Sequence, residues 1–208
     1  MKNIIVLFAI AIFSLTACNN GKQESESVEE HSGEMHKVAD EHEHGDHEHA
    51  NSSATEERSI EATTEKNGAT SEIIDAYLQI KNALVADDKD GAAAGGTALL
   101  TAFSNFDMTK LTETQHKEYM DIFENAKEQA EHIVKSPIDH QREHFEVLST
   151  DINDLIALLG TDKTLYEDFC PMVNDGKGAI WLSETEEIQN PFMGTKMPTC
   201  GKVQKQIN

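Results

Sequence analysis

The chain has 208 residues, 38% of them hydrophobic, and a formal net charge of −21. That is material for one modest domain plus tails and excludes a second sizeable core, since a compact domain commonly takes roughly 100 to 200 residues. With 38 acidic against 17 basic residues, the surface repels polynucleotides and anionic lipid, so nucleic acid is excluded as a partner. The same surface favours solubility and attracts cations.

The first seventeen residues, MKNIIVLFAIAIFSLTA, carry one Lys, an apolar run from Ile4 to Phe13 and small residues before Cys18. This pattern is that of a signal peptide, with an apolar run too short to remain as a membrane span. Leu-Thr-Ala-Cys resembles the lipobox of bacterial lipoproteins, which makes Cys18 the expected lipidation site. More than one acyl chain there would anchor the mature protein stably. The expected location is the cell envelope, on the outer membrane facing the periplasm or the surface. Secretion after cleavage elsewhere is the competing reading of the same segment.

Residues 18–70 are expected to form a disordered tether. They are rich in Glu, Ser, Thr, Asn and His, lack aromatics and hold only isolated aliphatics, too little apolar area to offset the entropy of ordering. Within them "EHEHGDHEH" interleaves His42, His44, His47 and His49 with carboxylates. Imidazoles suit Cu(II), Zn and Ni, and a flexible strand of alternating ligands can wrap such an ion. His31, Met35 and His36 extend that set. A solvated acidic linker is the bland alternative.

Helical periodicity begins at Ser71, a candidate cap for a helix with Ile73, Ile74, Tyr77, Leu78, Ile80, Leu84 and Val85 at spacings of three and four. The segment Asp87 to Gly91 breaks it. AAAGGTALLTAFSNF predicts a second helix, weakened by Gly95-Gly96 at about 1 kcal/mol per glycine. Thr112 and Gln115 form a capping-box pattern opening a third helix with Tyr119, Met120, Phe123, Ala126, Ala130 and Ile133 inward. Ser136-Pro137 predicts the cap and first residue of a fourth, with Ile138, Phe145, Leu148, Ile152, Leu155 and Leu159 inward and Gly160 closing it. The expected fold class is therefore all-α, an antiparallel four-helix bundle.

From Leu165 the apolar islands are interrupted by Pro171, Gly176, Gly178, Pro191, Gly194, Pro198 and Gly201, so residues 165–208 are expected to form an irregular lobe. Only Ser183 to Gln189 offers a helical turn. Tyr166, Phe169, Trp181 and Phe192 are the expected docking side chains.

This lobe carries Cys170, Met172, Met193, Met197 and Cys200. Soft thiolates and thioethers select Cu(I), and such donors in a Gly/Pro-rich segment suit a copper pocket. An exported pair of cysteines also permits a disulfide between Cys170 and Cys200. Its loop of about thirty residues is worth roughly 3 to 4 kcal/mol in the chain-entropy picture, and methionines commonly fill irregular gaps. Both readings stand on residue chemistry. Zinc fits the lobe less well, because Cys-x-x-Cys spacing is lacking.

Among the remaining histidines, His116 is expected near the core stripe as a hydrogen-bonded residue, and His140 and His144 share a polar helix face. An enzyme is not expected: Glu113 and His116 supply a single Glu-x-x-His where a di-iron bundle needs two, and nucleophile-elbow, zincin and P-loop motifs are absent from the sequence.

Four stretches, "DAYLQIKNALVADD", "QREHFEVLSTDINDLI", "LYEDFCPM" and "GAIWLSETEEIQNPFMGTKMPTCG", resemble a family of exported bacterial domains of unknown function. Its members occur as small lipoproteins and as appendages of periplasmic adaptor subunits of copper/silver efflux systems. The similarity spans about residues 71–207. It implies heavy-metal handling, most of all copper, through Cys170, Met172, Met197 and Cys200, with Met193 at a position where relatives vary. The resulting expectation is a lipid-anchored, non-enzymatic metal-binding protein that buffers copper or passes it to an efflux adaptor. A disulfide-stabilised interaction module of the envelope with no metal role is the alternative.

Overall fold

A computed structural model of the chain describes residues 58–60 and 62–208. The signal-peptide and lipidation expectations at 1–17 and Cys18, and the histidine tract at His42, His44, His47 and His49, lie outside the described residues.

Four helices form in chain order: α1 (Ser71–Val85), α2 (Lys89–Asn105), α3 (Glu113–Lys135) and α4 (Ile138–Leu159). Their apolar stripes meet in one core that includes Ile74, Tyr77 and Ile80, Leu99 and Phe103, Ile122 and Ala126, and Phe145, Leu148 and Ile152. The helix starts follow local chemistry. At α3 the capping box is complete: Gln115 N–H donates to Thr112 Oγ1 (3.2 Å), and Thr112 N–H donates to Gln115 Oε1 (3.1 Å).

Several boundaries shift from expectation. Ser71 is not the α1 cap but its first residue, and its hydroxyl donates to Asp162 (2.8 Å). Asp88 caps α2 by accepting from Gly91 N–H (2.9 Å), so Lys89 to Gly91, expected as part of a breaker, belong to the helix. Pro137 is itself the residue before the first turn of α4. In α3 the core position is Ile122, while Met120 and Phe123 are only partly buried. The Gly95-Gly96 pair, a weakness on propensity, is required by packing. A Cβ on Gly95 would sit 2.9 Å from the Ile80 backbone nitrogen of α1, and one on Gly96 would sit 3.0 Å from Val134 of α3.

Contacts with this helical body begin before Ser71. Arg58 donates to Asp151 (2.7 Å) and Asp154 (2.9 Å) of α4, Thr63 N–H donates to Ala157 O (2.8 Å), and Asn67 Nδ2 to Leu159 O (2.8 Å). Gly160 ends α4 with φ of 78°, as expected for a helix stop.

The all-α expectation is corrected beyond Gly160. The C-terminal part is a three-stranded antiparallel sheet of order β2-β1-β3, made of β1 (Leu165–Cys170), β2 (Ala179–Ser183) and β3 (Lys202–Ile207). Ser183 ends β2 and opens no helical turn. The glycines and prolines read as signs of an irregular lobe fall in the connections between strands, where their backbone preferences suit turns.

Edge strand β2 is covered by the helices: its Leu182 N–H donates to Tyr77 Oη (3.0 Å), which also bonds Ser149 (2.9 Å). Trp181 is fully buried and makes an edge contact with Phe192 at 6.0 Å, and Phe192 packs on Phe145 at 5.8 Å. Those two aromatics dock the sheet as expected, whereas Tyr166 and Phe169 are only partly buried. Among the described residues no helix is long and apolar enough to cross a membrane.

Candidate functional site

The sheet register explains how the two lobe cysteines meet. β1 is the central strand and ends at Cys170, and Phe169 pairs with Lys202 at the start of β3. Two antiparallel strands in that register carry the chain on either side of the pair toward one another. The Sγ atoms of Cys170 and Cys200 lie 2.6 Å apart, with Cys170 fully buried and Cys200 half-buried. A disulfide bond measures about 2.05 Å, so the sulfurs stand nearly in bonding range. Hydrogen bonding to Cys170, then burial and the charge of its neighbour, push the Cys200 thiol up to about 11. As a free thiol Cys200 is therefore protonated at neutral pH and is a poor nucleophile.

The approach of Cys200 is organised by Asn190, itself fully buried. Its Nδ2 donates to Cys200 O (2.6 Å), its Oδ1 accepts from Phe192 N–H (2.8 Å) and Met193 N–H (3.0 Å), and its backbone N–H donates to Pro198 O (2.8 Å). One side chain thus folds residues 190–200 into a compact arc. Gly201 follows because the chain passes against the indole: a Cβ there would lie 2.7 Å from Trp181. The arc is fastened to the bundle by Arg142, which donates to Pro191 O (2.9 Å) and Leu84 O (3.0 Å) and pairs with Asp87. Asp87 also accepts from Thr195, and these hydrogen bonds, with that of Arg142, hold its carboxyl down to about 2.

Met172 lies just beyond Cys170 in the β1–β2 connection and is 57% exposed. Met197 lies three residues before Cys200 and is 40% exposed. Met193 is partly buried in the arc. The structure thus brings the cysteines together and leaves Met172 and Met197 at the surface instead of packing them as core filler.

Two ionisable groups that sequence reading passed over lie in the interior. Asp168 and Lys81 are both fully buried. Lys81 reaches Glu184 (3.2 Å) and Ser183 (3.5 Å), while neither carboxylate oxygen of Asp168 has a hydrogen-bond partner. Burial pushes the Asp168 carboxyl up to about 7 against the opposing pull of Lys81.

Of the bundle histidines, His116 is exposed, a correction to its expected place near the core. His140 and His144, read as a polar face, have company: His132, at the end of α3, brings a ring nitrogen to within 4.8 Å of theirs. Burial and the neighbouring imidazoles hold His144 down to about 4. The sequence did hold a signal for this group. His132 and His140 stand four residues to either side of Ser136, and a tight helix–helix turn places such positions side by side.

Residues 73–164 match the family described as a protein of unknown function (DUF3347). Neither a curated protein nor a solved structure matches the chain. The matched span covers most of the bundle and stops immediately before β1, so His132, His140 and His144 lie inside it and both lobe cysteines lie beyond it.

Proposed function

We propose that this is a non-enzymatic, lipid-anchored protein of the cell envelope that binds a soft metal ion, copper as Cu(I), through Cys170 and Cys200 in the reduced state. The observation that carries the reading is the meeting of two cysteines thirty residues apart in sequence at a sulfur separation of 2.6 Å, with the exposed Met172 and Met197 on the two adjoining connections. Thiolate and thioether sulfur is the donor chemistry that prefers Cu(I). Binding would displace the thiol protons and spread the sulfurs around the ion, a small opening in segments held by turns. Buffering of copper, or its delivery to an efflux adaptor, is the role such a site would serve, with the tract of His42, His44, His47 and His49 collecting Cu(II) or Zn from solution.

Complete burial of Cys170 favours a second reading, in which a disulfide closes the lobe and the protein is an interaction module of the envelope. The two are separated by a thiol count on metal-free protein together with Cu(I) competition titration of the wild type and of Cys170→Ser/Cys200→Ser. Free thiols and a loss of Cu(I) affinity in the double variant are expected. Unchanged affinity in that variant would remove the sulfur site, and an oxidised pair that resists mild reductant would leave the cross-linked module.

A further inference from the structure

We propose that His132, His140 and His144 form a binding site for a borderline divalent cation, Cu(II) or Zn(II), on the α3–α4 hairpin. The site is independent of the lobe sulfurs and does not rest on the reading of them given above.

The hairpin builds it. α3 ends at Lys135 and α4 begins at Ile138, so the last turn of one helix lies beside the first turns of the other. His140 and His144 are one turn apart and share a face, and His132 reaches them from α3. The His132 ring stacks on His144 with centroids 4.3 Å apart and planes at 15°, while the His140 ring meets His144 edge-on at 4.5 Å.

The hydrogen bonds around the group set its chemistry. His140 Nδ1 bonds Glu143 Oε2 (2.6 Å), and His144 Nδ1 bonds Gln129 Oε1 (2.7 Å). A carboxylate and an amide carbonyl oxygen only accept, so each Nδ1 carries a proton, and in the neutral ring each Nε2 keeps a lone pair. Those two Nε2 atoms face one another at 3.1 Å. Two lone pairs so placed repel unless something electron-poor lies with them.

A metal ion meets that need. With metal–nitrogen bonds of about 2.0–2.1 Å, adjacent ligands stand about 2.9 Å apart in square geometry and about 3.3 Å in tetrahedral geometry. The observed spacing falls between these. Outer nitrogens held by a carboxylate and a carbonyl are the usual support of metal-binding histidines, fixing both tautomer and ring orientation. A rotation of His132 supplies the third nitrogen, and the exposed side of His140 leaves coordination positions for water. Neutral imidazole is a donor of intermediate softness that suits Cu(II) and Zn(II), and copper is expected to bind the tighter. The competing arrangements place a proton between the two nitrogens, either on His140 as an imidazolium paired with Glu143 or on His144 with the Gln129 amide turned over, and then the pair is satisfied with no ion.

The test uses the full chain with His42, His44, His47 and His49 replaced by Gln and with Cys170→Ser/Cys200→Ser, so that neither the tract nor the sulfurs compete. Zn²⁺ is added while the histidine ring nitrogens are followed by ¹⁵N NMR, and Cu²⁺ is added in a parallel sample read by electron paramagnetic resonance. A single equivalent of Zn²⁺ should move the Nε2 signals of His140 and His144 and leave their Nδ1 protonated, and the Cu²⁺ spectrum should carry nitrogen hyperfine splitting. Glu143→Gln, which leaves all three rings in place, should weaken Zn²⁺ binding roughly tenfold to a hundredfold with unchanged helicity. His140→Ala should weaken it further. Nε2 signals that stay put at millimolar Zn²⁺, or an affinity indifferent to both substitutions, would overturn the site and leave a hydrogen-bonded pair. The unsubstituted hairpin decides the matter by its own spectrum should a variant fail to fold. Because Cys170 and Cys200 are replaced throughout, the lobe reading fails or stands separately.

Discussion

The bundle and the sheet are held by different kinds of interaction. In the bundle, each helix contributes a repeated stripe of apolar residues, so that Ile73, Ile80, Leu99, Ile133, Leu148 and Leu155 share one interior and no single contact is decisive. The sheet has few such residues. It depends on Trp181 and Phe192 at its seam with the helices and on the polar anchors Asn190, Arg142 and Asp87 for the shape of its connections. The lesson is one of redundancy: a core spread over four helices tolerates local loss, whereas the seam, with Leu165, Ala179 and Leu182 beside the two aromatics, tolerates less.

Substitution at that seam should have the largest effect. Trp181→Ala is expected to cost about 3–5 kcal/mol, the range for deleting a buried aromatic. Urea denaturation should show it, and hydrogen exchange should rise in the sheet before it rises in the helices. Equal acceleration in both regions would mean that sheet and bundle unfold as one unit and would erase the distinction.

A smaller and pH-dependent effect is expected at Asp168. Its folded carboxyl sits up near about 7, against roughly 3.9 in an unfolded chain. Between those values the folded state binds more protons than the unfolded one, so stability from this group is full below about pH 4 and declines as pH rises through about 7. The difference in urea midpoint between wild type and Asp168→Asn should therefore shift steadily in the variant's favour from acid to neutral pH. A flat difference would show that Lys81 neutralises the carboxylate completely.

The smallest change is expected in the bundle. Thr112→Ala removes one half of the α3 capping box and should cost about 1 kcal/mol, read as a drop in thermal midpoint with the sheet's exchange pattern untouched. A loss as large as that at Trp181 would mean that the bundle is less redundant than its core suggests.

The two regions also differ in how much could be read beforehand. The capping box at Thr112, the stop at Gly160 and the stripes of all four helices were visible, because residues three and four apart on a helix face the same way whatever surrounds them. The strands were not. β3, KVQKQI, is short and mostly exposed, and its register with β1 slips by one residue between Lys205 and Val203, which interrupts the alternation that marks a strand. Asp168, a charge in a buried strand, spoke against burial of that segment. Gly95-Gly96 was read as weakness because propensity knows nothing of the helix lying against it. The sulfur residues were legible by type, and their meeting was not. His132 was overlooked because its partners sit across a turn.

By itself the sequence determined the local matters: that four helices form, where α3 opens and α4 stops, broadly which faces turn inward, and which residues carry sulfur and imidazole. These follow from backbone geometry and side-chain chemistry within a few neighbours. Only the tertiary structure decided that Cys170 meets Cys200, that three histidines share one corner of a hairpin, and that a sheet stands where an irregular lobe was expected. Each depends on strand register or helix apposition between residues far apart in the chain, and such pairings are selected by the packing of the whole domain.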